Sequence, residues 1–453
     1  MNGSISCRKN IFRIFQDGDL KTRLSFFIMG ISNLWYGQVV KGLFYLMYEI
    51  AFVIFMIRFG FGALADLVTL GTKTQSWKYN SDLEINLLVK GDNSMLLLIY
   101  GVAVVVLIGI FFCVYVSNVK SAYKLQLISF SKGHVPNLKE DLSSLVNEKF
   151  HVTLLTLPII GIVVFTVMPL IFMILIAFTN FDSEHQPPGH LFNWVLFDNF
   201  ISMFKLGSKL GSTFFPVLLW TISWAILSTA SNYILGIVVA LLINKKGIRF
   251  KGMWRTIFVL TIAIPQFVSL LVMRNMLSDF GPINCFLQKI GLISSPIPFL
   301  SDPFMAKITV LLVNLWVGIP YTMLITSGVL LNIPKDLYES ARIDGASSVI
   351  MFFKITLPYI FFVTAPYLIT QFIGNLNNFN VIYLLTKGEP MSSEYYFAGK
   401  TDLLITWLYK LTSEQKDYSI ASTIGICVFV VSVVMSLFAY RKTSAYSSEE
   451  DFA

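Results

Sequence analysis

The sequence predicts an all-α polytopic membrane protein with about eight transmembrane helices. Three observations carry that expectation. Of 453 residues, 55% are hydrophobic and only 13% charged, with a mean hydropathy of +0.69. Several apolar runs reach the roughly 20 residues that a helix needs to cross a bilayer core. Lysine and arginine gather in the short connections between those runs. A soluble chain of this length could not hide so much apolar surface.

Taken in order, the expected spans are approximately 42–60, 95–117, 154–180, 215–243, 256–275, 306–330, 357–385 and 418–440. The run 24–40 is also apolar, but Gly30, Asn33, Gly37 and Gln38 weaken it. It either lies at the interface or extends the first span. The N-terminal stretch lacks a short apolar core followed by a small-residue cleavage site, so no cleaved signal peptide is expected. Four cysteines, among them Cys7, Cys113 and Cys427, form no pairing framework or metal spacing, so no metal site is expected.

Eight spans put both termini on one side. The segments on that side hold 20 lysines and arginines, against 11 in the longer opposite loops. The positive-inside rule therefore places both termini in the cytoplasm. The net charge of +8 is spread over these connecting loops, which suits anchoring against anionic membrane lipid rather than nucleic-acid binding. No extramembrane segment is long enough for an ATPase domain.

One polar segment stands out between the sixth and seventh spans: "IPKDLYESARIDGASSVIMFFKITLPYI", Ile333 to Ile360. Pro334 limits the helix entering it. Asp336 is placed to cap a new short helix, with Glu339 three residues on. Gly345 can supply the positive φ that ends that helix, Ala346-Ser347 starts the next, and Leu357-Pro358 opens the seventh span. Leu337, Ile343 and Phe352 offer apolar side chains to a partner surface. An ordinary amphipathic loop helix would account for much of this pattern.

The full string is more specific. Glu339-Ser340-Ala341, then Asp344-Gly345, then Ile355-Thr356-Leu357-Pro358 resembles the EAA loop of binding-protein-dependent ABC importer permeases, with Ser340 in place of the usual alanine. The stretches "LVNLWVGIPYTMLITSGVLLNIPKDLYESARIDGAS", "NNFNVIYLLTKGEP" and "AGKTDLLITWLYKLT" are similar to the MalF-type maltose/maltodextrin permeases, and the likeness covers roughly 150–440. It implies a MetI-like permease core with two extra N-terminal helices. The organisation is then an N-terminal region (1–150), a permease domain (151–441) with its coupling segment at 333–358, and a cytoplasmic tail (442–453). The connection 181–214 is short where some members of the family insert an extracytoplasmic domain.

The resemblance also implies a function. The chain would be a non-catalytic subunit that moves maltose- or maltodextrin-type oligosaccharides across the cytoplasmic membrane. Glu339, Ser340, Ala341, Asp344, Gly345, Leu357 and Pro358 would couple it to an ATPase subunit pair, which binds the ATP and magnesium. A second, MalG-like permease subunit and an extracytoplasmic sugar-binding protein complete the expected assembly. The piece Gly399-Lys400-Thr401 looks like the end of a phosphate-binding loop. Such a loop needs a glycine where Glu394 stands, and the charge count puts the piece outside, away from ATP.

A sugar path needs hydrogen-bonding groups for hydroxyls and aromatic faces for pyranose rings. Asn314, Gly318 and Tyr321 recur at i, i+4, i+7 on one face of the sixth span, with Trp316 off that face. Gln371, Asn375 and Asn378 repeat the spacing in the seventh, with Gly374 beside them. Polar groups in hydrocarbon are costly unless they face a cavity or another helix. Helix packing is the alternative account of these residues. The resemblance implies that Asn314, Gly318, Tyr321 and Asn375 line the sugar site, while Gln371 and Gly374 differ from the family's best-known members.

Two other classes fit less well. An ion-coupled secondary transporter needs intramembrane Asp, Glu or His, and the centres of spans four to eight have none. A membrane-embedded glycosyltransferase needs paired carboxylates or a metal constellation, and His134, His151, His185 and His190 are scattered. A galacto-oligosaccharide importer is the nearest alternative within the family.

Overall fold

The computed structural model describes residues 10–80, 82, 84–131, 133–245 and 247–441. The expected tail at 442–453 lies outside the described residues, as does Cys7. Among the described residues, seven helices are long and apolar enough to cross a membrane: Val39–Thr69, Ser94–Phe130, Phe150–Ile176, Lys209–Asn244, Pro303–Asn332, Ser348–Thr386 and Tyr418–Arg441. They are spans one to four and six to eight of the expected series. The fifth is a bent pair, Lys251–Ala263 and Gln266–Met276, and counting it as one span gives eight.

The fifth span, expected at about 256–275, is present as this bent pair. The two pieces meet at 90°. Pro265 has no N–H to continue the hydrogen-bond ladder, and it forces Ile264 into extended backbone (φ −79°, ψ 126°).

The chain divides into two compact units on either side of Trp194 and Val195. The first holds spans one to three. Its run 24–40 folds into turns and a short helix, Ile31–Trp35, with left-handed glycines at Gly30 (φ 82°) and Gly37 (φ 88°) before span one begins at Val39. Span two pins this segment beyond its apolar stretch. Asn118 accepts from the Gly30 N–H and donates to the Ser25 carbonyl, both at 2.9 Å. Gln126 accepts from the Asp19 N–H and donates to the Asp17 carbonyl, both at 3.1 Å. Between spans one and two an antiparallel pair of strands, Ser76–Asn80 and Ile85–Val89, departs from the all-helical expectation. Five residues per strand are too few for a clear alternation in sequence.

The second unit holds spans four to eight. Lipid tails are as apolar as leucine, so these helices associate through close packing and hydrogen bonds rather than through water exclusion. Spans four and six meet at two glycines. A Cβ on Gly236 would overlap Thr322, and one on Gly318 would overlap the Asn232 amide. Span seven joins them through the Tyr233 and Thr364 hydroxyls at 2.6 Å and the Thr322 and Tyr367 hydroxyls at 3.1 Å. One apolar core gathers Trp224, Leu270, Val310, Ile382 and Leu385. A second, around Trp407, Phe214, Leu411 and Ile424, lies beneath the connection 387–417. That connection is fastened to span four: Trp220 Nε1 donates to the Thr401 carbonyl (3.1 Å), and the Leu404 N–H donates to Thr221 Oγ1 (3.0 Å).

Candidate functional site

Span six presents Asn314, Gly318 and Tyr321, and span seven presents Gln371, Gly374, Asn375 and Asn378, to one cavity of about 350 Å³. All six residues of the i, i+4, i+7 pattern line it, and so does Gly374. Trp316, off that face, does not. The helical spacing fails only at Asn378. The helix stops at Leu376, and Asn378 caps the next one by accepting from the Val381 N–H at 3.2 Å.

The lining has an unusual chemistry. Eight of its thirteen residues are Asn or Gln, none is charged, and Tyr321 and Phe379 add aromatic faces. Some of the amides hold one another or neighbouring hydroxyls. Asn375 Nδ2 donates to Thr229 Oγ1 (3.0 Å), Asn378 Nδ2 to Asn375 Oδ1 (3.4 Å), and Asn380 Nδ2 to Gln266 Oε1 (3.1 Å). Others are left open. Asn314 is only 2% exposed, and its Nδ2 has no hydrogen-bond partner among the described residues; the same holds for Oδ1 of buried Asn232. A buried amide atom without a partner costs roughly 1–3 kcal/mol. One donor and one acceptor on residues of the cavity wall are thus left without a partner among the described residues.

Gly318 contributes space instead of a bond. Its missing side chain is what lets the Asn232 amide reach the cavity wall. Asn232, Gln266, Asn377, Phe379 and Asn380 belong to the lining but not to the two periodic faces read in the sequence. Asn232 had a signal, as an amide inside the apolar run of span four; Gln266 follows the break at Pro265.

The helices bearing the cavity are joined by the polar segment 333–358. Its short helix runs Lys335–Ile343 and ends as a Schellman motif: the Ala346 N–H bonds to the Ala341 carbonyl (2.8 Å) and the Gly345 N–H to that of Arg342 (3.1 Å). Gly345 has φ 79°, and a Cβ there would meet nothing within 4 Å. Ser347 then caps the following helix through the Ile350 N–H (3.3 Å). Two expectations are corrected. The N-cap is Pro334, with no side-chain bond, and Asp336 lies inside the first turn, because the helix starts two residues earlier than expected. Leu357-Pro358 does not open span seven. The helix already runs from Ser348, and a π turn at Phe352–Thr356 lets it pass Pro358, with the Leu357 N–H bonding to the Phe352 carbonyl.

Along the short helix Leu337, Glu339, Ser340 and Asp344 are exposed and Ala341 is half-buried, while Ile343 is 87% exposed.

The stretch Gly399-Lys400-Thr401 is committed to internal contacts. The Gly399 N–H donates to Asp402 Oδ2 (2.7 Å), and Thr401 Oγ1 donates to the Glu389 carbonyl (2.7 Å). Asp402 is fully buried and pairs with Lys410 Nζ at 2.6 Å. Burial pushes its carboxyl up from the ordinary value, while the Lys410 charge, the Gly399 N–H and the Thr406 hydroxyl oppose that shift.

Residues 232–442 match the family described as "Binding-protein-dependent transport system inner membrane component". The whole chain is similar to the maltodextrin transport system permease protein MdxF of Bacillus subtilis, at 35% identity over 95% of this chain and 97% of that one. The chain belongs to the binding-protein-dependent ABC importer permeases. This permease is also 34% identical to the galactooligosaccharides transport system permease protein GanP of Bacillus subtilis, over 93% of its own length and 97% of the relative's. Among solved structures, a bacterial ABC transporter involved in the import of the acidic polysaccharide alginate aligns with a TM-score of 0.54 and 26% identity, over 66% of the permease and 96% of that chain. The permease is a multi-pass membrane subunit with a MetI-like helical fold.

Proposed function

We propose that this permease carries neutral oligosaccharides of the maltodextrin type through the amide-lined cavity between spans four, six and seven. The observation that carries the reading is the cavity's chemistry. Uncharged amides offer both donors and acceptors to sugar hydroxyls, two buried amide atoms await partners, and aromatic faces flank them. A cavity of about 350 Å³ lies at the lower end of the range for small-molecule sites. An acidic polysaccharide such as the one imported by the alginate transporter would meet no cation there.

Both termini are taken to be cytoplasmic, and the permease domain to run 151–441. The segment 333–358 then docks on a separate ATPase pair through Glu339, Ser340, Ala341, Asp344 and Gly345. Each limb from that segment to the cavity is one helix, roughly 25–35 Å long at 1.5 Å per residue. Motion of the segment would therefore be felt at Asn314 and Gln371. A second, MalG-like permease subunit and an extracytoplasmic sugar-binding protein complete the complex.

Similarity to GanP favours galacto-oligosaccharides as the second reading. The experiment is ATP-dependent uptake of labelled maltodextrins, galacto-oligosaccharides and an acidic polysaccharide fragment by proteoliposomes holding the whole complex. Uptake of maltodextrin alone supports the first reading, and preference for the galactoside the second. Uptake of the acidic fragment in preference to both contradicts the neutral-ligand assignment.

A further inference from the structure

A second cavity, of about 830 Å³ and open to the surface, lies within the first unit between spans one, two and three and the helix Leu138–Val146. Neither the sugar path nor the coupling segment uses it. We propose that it holds an anionic phospholipid, with the phosphate at a lysine rim and the acyl chains along an apolar wall.

The rim carries Lys41, Lys120, Lys124 and Lys149. Asp141 is the acid in the lining, and it is engaged by Lys41 at 3.4 Å and by Gln38 Nε2 at 3.2 Å. Among the described residues, Lys120, Lys124 and Lys149 have no carboxylate within ion-pair distance. Lys120 and Lys124 stand one helical turn apart on the same face of span two. The rim is therefore a concentrated positive charge that this unit does not neutralise.

Depth selects a lipid. The apolar run of span two ends at Val116. At 1.5 Å per residue, Lys120 and Lys124 lie roughly 6 and 12 Å beyond it. The headgroup layer is about 5–8 Å thick on each side of the hydrocarbon. Lys120 falls within that layer, and Lys124 lies about 4–7 Å beyond it, from where its long side chain can reach back. Below them Phe44 and Val116 continue the wall toward the hydrocarbon, and Phe44 is exposed. A free phosphate would satisfy the lysines and leave the apolar wall bare, whereas a phospholipid covers both. Basic pockets between membrane helices on the cytoplasmic side are suited to such headgroups. The assignment of this rim to the cytoplasmic face rests on the orientation proposed above.

The test uses the assembled importer complex in nanodiscs, whose leaflets share one composition, so that binding is read independently of orientation. Native mass spectrometry compares retention of phosphatidylglycerol and of phosphatidylcholine with the same acyl chains. The expected result is selective retention of phosphatidylglycerol, weakened roughly tenfold or more in Lys120→Gln/Lys124→Gln and kept in Lys120→Arg/Lys124→Arg. Equal retention of both lipids overturns the proposal, as does unchanged affinity in the Gln pair. So does displacement of phosphatidylglycerol by equimolar inorganic phosphate, which would make the site one for a free anion. Absence of lipid because another subunit fills the cavity overturns it too. None of these outcomes bears on the orientation, which cysteine labelling decides separately.

Discussion

The Tyr338 hydroxyl lies 2.8 Å from Thr356 Oγ1, so the exposed helix Lys335–Ile343 is hydrogen-bonded to the π turn at the start of span seven. Thr356 is buried, and Tyr338 forms with Ala341 the half-buried side of a mostly exposed helix. Under the coupling role proposed for this segment, that bond helps a displacement of the helix become a displacement of span seven. Removing it in Tyr338→Phe should weaken the joint by about 0.5–1.5 kcal/mol. The expected outcome is a several-fold loss of binding-protein-stimulated ATPase activity with normal membrane insertion. Full stimulation in the variant would make the bond incidental.

Gly345 isolates a backbone effect. Its φ of 79° closes the Schellman motif, and no atom lies within 4 Å of an added Cβ. A substitution there is therefore opposed by conformation alone, about 1–2 kcal/mol for an ordinary L-residue and less for asparagine. Gly345→Val should lose stimulation of the ATPase, and Gly345→Asn should retain most of it. Equal activity in the two variants would separate the joint from coupling.

The Asp402–Lys410 pair predicts a stability effect away from the cavity. Asp402→Asn leaves the Lys410 ammonium buried without its carboxylate, and breaking a buried pair in this way costs about 3–5 kcal/mol. The complex in detergent should lose its folded fraction at a clearly lower temperature, read by size-exclusion after heating. An apolar double replacement, Asp402→Leu/Lys410→Met, should recover part of the loss. An unchanged transition in Asp402→Asn would show that the pair contributes little.

The orientation is open to direct labelling. On a background without native cysteines, single cysteines at Lys245 and Ser348 should be shielded from an impermeant thiol reagent outside intact cells. One at Ser393 should react. The reverse pattern would overturn the cytoplasmic placement of the segment 333–358.

Legibility in the sequence followed physical range. Span lengths, and the faces of Asn314, Gly318, Tyr321 and of Gln371, Asn375, are local patterns set by helical periodicity, and they lead to one cavity. The positive φ of Gly345 was legible for the same reason, since a lone glycine after a short polar helix has few other uses. Asn232 and Gln266 carry no repeat of their own, and only tertiary packing brings them to the lining. The bend at Pro265 was hidden because apolar character continues on both sides of it. Asp402 and Lys410 sit eight residues apart in the connection 387–417, a spacing that reads as solvated charge until the loop closes over Trp407.

Asn314→Leu tests the account most directly. Asn314 is buried, faces the cavity, and has an amide nitrogen with no partner among the described residues. Leucine has nearly the same size and belongs in a membrane helix, so the fold should keep it. The decisive measurement pairs uptake of labelled maltodextrin by the reconstituted complex with recovery of that complex in detergent. The account predicts uptake reduced several-fold or more with recovery intact, since a sugar hydroxyl loses its hydrogen-bond partner. Unchanged uptake, or uptake falling only in proportion to lost complex, would contradict it and return Asn314 to helix packing.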